Sequence, residues 1–397
     1  MAVDVSGIPN PLQGLCYQPA PTDYVGNQGQ GQKYFDTDFC NADFPGFWSQ
    51  ANGGRGDLAN MADLGINFLH LYNWNPQRDH VPFLQQCAGL GLFVAVPFSN
   101  YFCENIDGPG TVSSICQVMD EIYTHSLART PVAMWTIANE YNQANSPTPA
   151  QIAQVAQVIL YYETVKSVST LLPISSPTSF APAVNPGIAP TQVLQAAFGK
   201  TTAFQATIGC NTVTIPALPS TFFADRYIAA TNPQNPGSIP PAASGVTLQS
   251  WLPQFASAFP GTPLWFSEIG IGQQNCCTGW PTTCVTSPQQ QATFTANQLA
   301  NAVPGGQNSF LLGSCVFEYT PDYQNPIGSN NYTFSLLSDN NGSSPSVNFT
   351  IPSSAPAGGG QTYPVQCLNT SKPVYAAVKN LWKPSGTSPS QWCASGS

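Results

Sequence analysis

The chain has 397 residues, and 10 Lys+Arg against 19 Asp+Glu give a formal net charge of −9 with only 7% charged residues. An ordinary soluble domain carries about 25% charged residues, so this surface is built from uncharged polar groups. Disorder is excluded by 42% hydrophobic and 11% aromatic residues, ten scattered cations offer nucleic acid no basic face, and no apolar run approaches the roughly 18–20 residues of a bilayer span.

The opening Met1-Ala-Val-Asp-Val-Ser has neither the charged nor the apolar region of a signal peptide. Gly14–Gln18 reads as the first strand. A helix over Asp57–Leu64 leads to the second strand, Ile66–Tyr72. Leu92–Phe98 is the third, followed by a helix over Val112–Leu127 with apolar residues at Val112, Ile115, Val118, Met119 and Ile122. After the fourth strand, Val132–Asn139, Thr148-Pro149-Ala150 opens a helix with a cap and a proline in its first turn, running to about Val168. Leu172–Ser176 and Phe222–Ile228 are the fifth and sixth strands, with the stretch 177–221 between them hard to divide. The helix Thr247–Phe259 precedes the seventh strand, Pro263–Ile269, and the helix Gln289–Val303 precedes the eighth, Leu312–Tyr319. Residues 320–370 are rich in Ser, Asn, Gly and Pro, and Tyr332–Leu337 with Val347–Ile351 suggests a small β-hairpin there. Pro373–Leu381 closes the set as a helix, and 383–397 is expected to be a tail.

Most strand candidates are apolar on both parities, as parallel strands covered on both faces should be. Eight of them alternating with helices predict an α/β fold, a single (β/α)8 TIM barrel over residues 1–382 that includes the insertion at about 320–370. A doubly wound sheet is the rival, but the chain has no GxGxxG or GxxxxGK[ST] to support it.

Twelve cysteines, at 16, 40, 87, 103, 116, 210, 276, 277, 284, 315, 367 and 393, are even in number and widely spread. No CxxC is present, and His70, His80 and His125 lack ligand spacing, so we expect no metal, no cofactor, and multiple disulfides formed in an oxidising compartment. Four N-x-[ST] sequons, at Asn331, Asn341, Asn348 and Asn369, agree with an extracellular setting. Two routes lead there without a visible signal peptide: a leader removed before Met1, or packaging into a virus particle.

Only six Glu occur: 104, 121, 140, 163, 268 and 318. Glu121 and Glu163 fall within helix patterns and read as solvated faces. Glu140, Glu268 and Glu318 each close a strand-like run. In a parallel barrel the C-terminal strand ends share one mouth, where this fold keeps its chemistry. Glu140 after the fourth strand and Glu268 after the seventh would then meet. Two such carboxylates can cleave a glycosidic bond by double displacement, one protonating the leaving oxygen and the other attacking the sugar carbon. Ion-paired structural carboxylates are the alternative, but ten cations supply few partners.

Ile137-Ala-Asn139-Glu140 and Phe266-Ser-Glu268 resemble the paired motifs of the clan A retaining glycoside hydrolases. Gly14-Leu-Cys16-Tyr17-Gln18-Pro19, Gly65-Ile-Asn67-Phe-Leu-His70-Leu-Tyr72-Asn73, Val316-Phe-Glu318-Tyr319-Thr and Pro373-Val-Tyr375-Ala-Ala-Val378 are similar to islands of the β-1,3-glucanosyltransferase and β-1,3-glucanase families. The similarity spans most of residues 12–382 in short pieces and lapses over 177–262, where Phe222-Phe-Ala-Asp225-Arg226-Tyr227 stands in place of an Asn-x-Tyr strand end. The resemblance implies that Glu140 is the acid/base and Glu268 the nucleophile. It further implies that Asn139 bonds the sugar 2-OH, that Tyr227 holds Glu268 ionised, and that Tyr72, Glu318 and Tyr319 contact substrate. Trp74, Trp280 and Tyr101 lie in loops after strands, where aromatic faces would stack on sugar rings. The expected partner is a neutral polysaccharide, β-glucan above all. The other reading is a non-catalytic structural or carbohydrate-binding barrel of a wall, an extracellular filament or a virion exterior.

Overall fold

The computed structural model describes residues 3–24, 37–180, 187–233, 248–272, 285, 287–323, 331–340, 342–351, 360–385 and 391–395. Five strands run first: β1 (Leu12–Cys16), β2 (Phe68–His70), β3 (Phe93–Phe98), β4 (Val132–Ile137) and β5 (Ile174–Ser179). An antiparallel hairpin, β6 (Phe204–Ile208) and β7 (Asn211–Ile215), interrupts them. Then come β8 (Tyr227–Asn232), β9 (Leu264–Ile269) and β10 (Leu311–Val316). The eight strands other than β6 and β7 close into a barrel in the order β1-β2-β3-β4-β5-β8-β9-β10, each neighbouring pair parallel. The expected TIM barrel is therefore the fold.

The strands are buried on both faces, which is why they read as continuous apolar runs. One set of side chains, including Phe68, Ala95, Met134, Ile228 and Trp265, packs together inside the barrel. The alternate set, including Val94, Val96, Ile137 and Phe266, packs outward against the helices. Trp265 donates its indole N–H to Ser175 Oγ at 3.0 Å, so its buried polar atom is satisfied. The seam between β1 and β10 closes on glycine. A side chain at Gly313, φ +141°, would stand 2.0 Å from the Leu12 carbonyl oxygen, and one at Gly14 2.2 Å from Cys315 Sγ.

Three expectations change. The sixth barrel strand is β8, Tyr227–Asn232, whereas Phe222–Arg226 is a short helix. A short apolar run fits either state, and here it lies on the helix that turns the chain into β8. The insertion does hold a hairpin, but β11 (Ser346–Thr350) pairs with β12 (Thr362–Gln366), and Asn331–Phe334 is a 3-10 turn. Multiple disulfides are not seen among the described residues: Cys367–Cys393 is the one bridge. Cys16, Cys40, Cys87, Cys103, Cys116 and Cys315 are buried free thiols that pack as small apolar groups, and Cys210 is free and exposed. Cys276, Cys277 and Cys284 lie outside the described residues. That bridge fixes residues at the end of the chain, where β14 (Gln391–Trp392) pairs with β13 (Leu368–Asn369).

Asn348 is an exposed sequon, whereas Asn369 is buried and its amide donates to Asn340 Oδ1. The side chains of Asn331 and Asn341 lie outside the described residues. No described helix is long and apolar enough to cross a membrane.

Candidate active site

Glu140 and Glu268 meet at the mouth formed by the C-terminal strand ends. Local backbone irregularity aims both of them. After β4, Ala138 and Glu140 adopt φ of +58° and +52°, a left-handed conformation that costs a non-glycine residue about 1–3 kcal/mol. Neighbouring strands hold the turn: Ala138 N–H donates to Phe98 O at 2.8 Å, and Glu140 N–H donates to Pro177 O at 3.0 Å. Asn100 clamps the residue between them, accepting from Asn139 N–H at 2.8 Å and donating to Asn139 O at 3.3 Å.

Glu268 is aimed by a bulge in β9. Ser314 pairs with Phe266 but Val316 pairs with Ile269, so Ser267 and Glu268 share the space opposite one residue of β10. Trp265 and Glu268 have opposite parity along the strand, yet the bulge turns both inward. Glu268 is 1% exposed, at the floor of the mouth. Tyr72 donates its O–H to Glu268 Oε1 at 2.8 Å, and Asn139 donates Nδ2–H to the same oxygen at 3.1 Å.

Asn232, the last residue of β8, joins the two carboxylates. Its Nδ2 donates to Asn139 Oδ1 at 3.1 Å and to Glu140 Oε1 at 3.3 Å, while its Oδ1 accepts from Ser267 Oγ at 2.5 Å. Gln143 donates to Glu140 Oε2. Burial first and the Glu140 carboxylate next push Glu268 up to about 8, against hydrogen bonds from Tyr72 and Asn139. Close carboxylates that repel in this way disfavour double ionisation, so burial and Glu140 together favour a proton on the pair.

A cavity of about 410 Å³ opens beside Glu140, lined among others by Tyr72, Tyr101, Asn139, Glu140, Gln143 and Ser146, with Glu268 behind Tyr72 and Asn139. A second, of about 440 Å³, adjoins it and shares Asn73, Ser99 and Tyr101. Tyr101 is 66% exposed on the rim between them. No group of three His, Cys, Asp or Glu able to hold a metal occurs among the described residues.

The other expected site residues are distributed differently. Tyr227 is fully buried at the start of β8, where its hydroxyl donates to Ser176 O at 3.2 Å; it does not reach Glu268, and Tyr72 makes that contact instead. Tyr319 is also fully buried, edge-on to Tyr17 in the layer under the helices. Trp74 borders the second cavity but is only 2% exposed, its ring stacked on His80 at 3.8 Å and its N–H donated to Glu121. Glu318 lies beyond β10, 2% exposed, with Oε1 unpartnered and its carboxyl pushed well up by burial first and by Asp322 and Glu268 next. Trp280 lies outside the described residues.

Glu121 and Glu163 are not solvated faces. His80 sits between Asp38, 2.7 Å from Nε2, and Glu121, 3.0 Å from Nδ1; these carboxylates overcome burial and raise it to about 9. Glu163 is 2% exposed and pairs with both terminal nitrogens of Arg226 at 2.9 and 3.1 Å. Sequence reading missed Asn232 and Ser267. The predicted sixth strand began at Phe222 and put the mouth at its end, whereas the true mouth residue is the Asn of Thr231-Asn232-Pro233.

No protein-family model and no curated protein matches the chain. Solved structures do. Gas2p of Saccharomyces cerevisiae, in complex with laminaripentaose, superposes with a TM-score of 0.51 at 14% identity, covering 97% of this chain and 67% of that one. CJP38, a β-1,3-glucanase and allergen of Cryptomeria japonica pollen, superposes with a TM-score of 0.50 at 12% identity, covering 72% of this chain and 91% of that one. At these identities the likeness is one of fold: the chain shares its closed eight-stranded parallel barrel with Gas2p, solved in complex with laminaripentaose, and with the pollen β-1,3-glucanase CJP38.

Proposed function

We propose that the protein is a retaining glycoside hydrolase or transglycosylase that acts on β-1,3-glucan or a related neutral wall polysaccharide by double displacement. The observation that carries this reading is the joining of Glu140 and Glu268 at one barrel mouth by the amides of Asn139 and Asn232. The low-charge chain and the otherwise uncharged lining of the cavity beside Glu140 suit a sugar better than an ionic substrate.

The pair's proton supplies the acid. With the glycosidic oxygen beside Glu140 and the anomeric carbon beside Glu268, the productive arrangement has the proton on Glu140 and the negative charge on Glu268. The hydrogen bonds from Tyr72 and Asn139 both fall on Glu268 Oε1, which leaves Oε2 to attack. In the first step Glu268 Oε2 bonds to the anomeric carbon, the glycosidic C–O bond breaks, and Glu140 gives its proton to the departing oxygen. In the second, Glu140 takes a proton from water or from a sugar hydroxyl. That oxygen attacks the same carbon and releases Glu268. Water gives hydrolysis and a sugar gives transfer. In this reading Asn139 passes its amide N–H to the sugar 2-OH as substrate enters.

The test is to incubate laminari-oligosaccharides with wild type, Glu140→Gln and Glu268→Gln. The reading expects products from wild type and almost none from either variant. Binding of glucan with no product over long incubation would instead favour a carbohydrate-binding barrel of a wall or particle exterior.

A further inference from the structure

We propose that Asn232 is a positioning residue that sets the orientation of the Asn139 amide and assigns the acid proton of Glu140 to Oε2. This rests on the reading of Glu140 and Glu268 as the reacting pair.

The argument starts from which atoms can donate. An amide has one accepting and one donating end, and the two are interchangeable by a half-turn unless partners forbid it. Asn232 is fully buried. On one side it faces Glu140 Oε1 and Asn139 Oδ1, and on the other the hydroxyl of Ser267. Turned round, its oxygen would confront two acceptors. In the observed sense both N–H bonds are used, one on each acceptor, and Ser267 O–H satisfies the oxygen. Ser267 can serve because the β9 bulge brings it to the mouth beside Glu268.

Two consequences follow. Asn139 Oδ1 is committed to Asn232, so Asn139 must present its N–H to Glu268 Oε1 and not its oxygen. Glu140 Oε1 is an acceptor for Asn232 and is unsuited to carry a proton. Oε2 is the oxygen left to carry it: the Gln143 amide that donates to Oε2 in this structure belongs to an exposed side chain, and must turn its oxygen toward Oε2 when the proton is there. One side chain from β8 thereby fixes the donor that Asn139 turns on Glu268 and sets which oxygen of Glu140 is left for the acid proton.

Among the described residues, the other titratable groups facing the pair are Tyr72 and His70 at the end of β2, Cys16 on β1, and Cys315 and Glu318 on or just after β10. Burial raises Tyr72, Cys16, Cys315 and Glu318 and lowers His70 to about 4, so burial favours the uncharged form of each. Among the described residues, none of these neighbours need change charge while the pair titrates in the neutral range.

The experiment labels Glu carboxyls with 13C and follows the pair by NMR without substrate, in wild type, Asn232→Ala and Ser267→Ala. Removing the Asn232 donor should strengthen proton binding by the pair about tenfold. Ser267→Ala, which leaves the amide in place but releases its oxygen, should act in the same direction to a smaller extent. On laminari-oligosaccharides, kcat for Asn232→Ala should fall roughly 10–100-fold, with both limbs of its pH profile displaced upward and KM little changed. Folded variants with wild-type titration overturn the proposal, as does a rate loss with unmoved pH limbs. If Asn232→Ala does not fold, Ser267→Ala decides on the same criteria. The titration needs no substrate, so inactivity of wild type on glucans would defeat the proposed function without deciding this assignment.

Discussion

Tyr72 donates its hydroxyl hydrogen to Glu268 Oε1 at 2.8 Å. A residue two positions beyond β2 thus holds the carboxylate that the bulge in β9 turns inward. Tyr72→Phe removes that donor and keeps the ring. A hydrogen bond to a charged group contributes about 1.5–3 kcal/mol, so kcat/KM on laminari-oligosaccharides should fall about 10–100-fold. The ionised form of Glu268 loses support, so the alkaline limb should move to higher pH. Steady-state kinetics across pH check both.

The pH profile of the wild type follows from the pair's proton. Burial and Glu140 raise Glu268 to about 8, so the pair is singly protonated below that value and doubly ionised above it. Activity should fall as pH rises through about 8, and fall again at acid pH when both carboxyls are protonated. A rate still rising beyond pH 9 would contradict the assignment.

The same group links folding to pH. A carboxyl raised above its unfolded value contributes stability below that unfolded value, and the contribution is lost as pH rises through the folded one. Glu268→Gln should therefore unfold at a higher temperature than wild type at pH 8–9, by the equivalent of a few kcal/mol, with little difference near pH 4. His80, raised to about 9 by Asp38 and Glu121 against its burial, follows the same sign in a later window. Its contribution is full below about 6.5 and lost through about 9, so His80→Gln should flatten that section of the curve. Thermal melts at stepped pH test both.

Arg226 and Glu163 form a buried pair between residues 63 positions apart. Arg226→Met leaves Glu163 buried and uncompensated, for which about 3–5 kcal/mol of destabilisation is expected. The double variant Arg226→Met/Glu163→Gln should recover much of it. Equal melting of wild type and the single variant would show that the pair contributes nothing.

Tyr101, exposed between the two cavities, is placed to stack on a sugar that spans them. Tyr101→Ala should raise KM about 2–10-fold for long laminari-oligosaccharides and change it little for the shortest ones turned over. A length-independent effect would remove this role.

Much of this was legible in the residues. The barrel was, because strands covered on both faces leave continuous apolar runs between helix-period segments. Glu140 and Glu268 stood out because only six Glu occur. The sixth strand was misplaced because Phe222-Phe223 suits a strand as well as the helical turn it forms, and so Tyr227 was put at the mouth in place of Asn232. Glu163 read as solvated because its cation lies far along the chain. An even cysteine count does not separate bridged thiols from buried free ones, and Cys16 and Cys315 are the latter. Backbone turns such as Ala138, and the bulge at Ser267, leave no periodic signal.

The most direct measurement is 1H NMR of the first anomer formed from laminari-oligosaccharides, read before mutarotation, with wild type and Glu268→Gln. Double displacement at Glu140 and Glu268 predicts β-anomeric product from wild type and none above background from the variant. An α anomer formed first, no product from wild type, or equal turnover by both would contradict it.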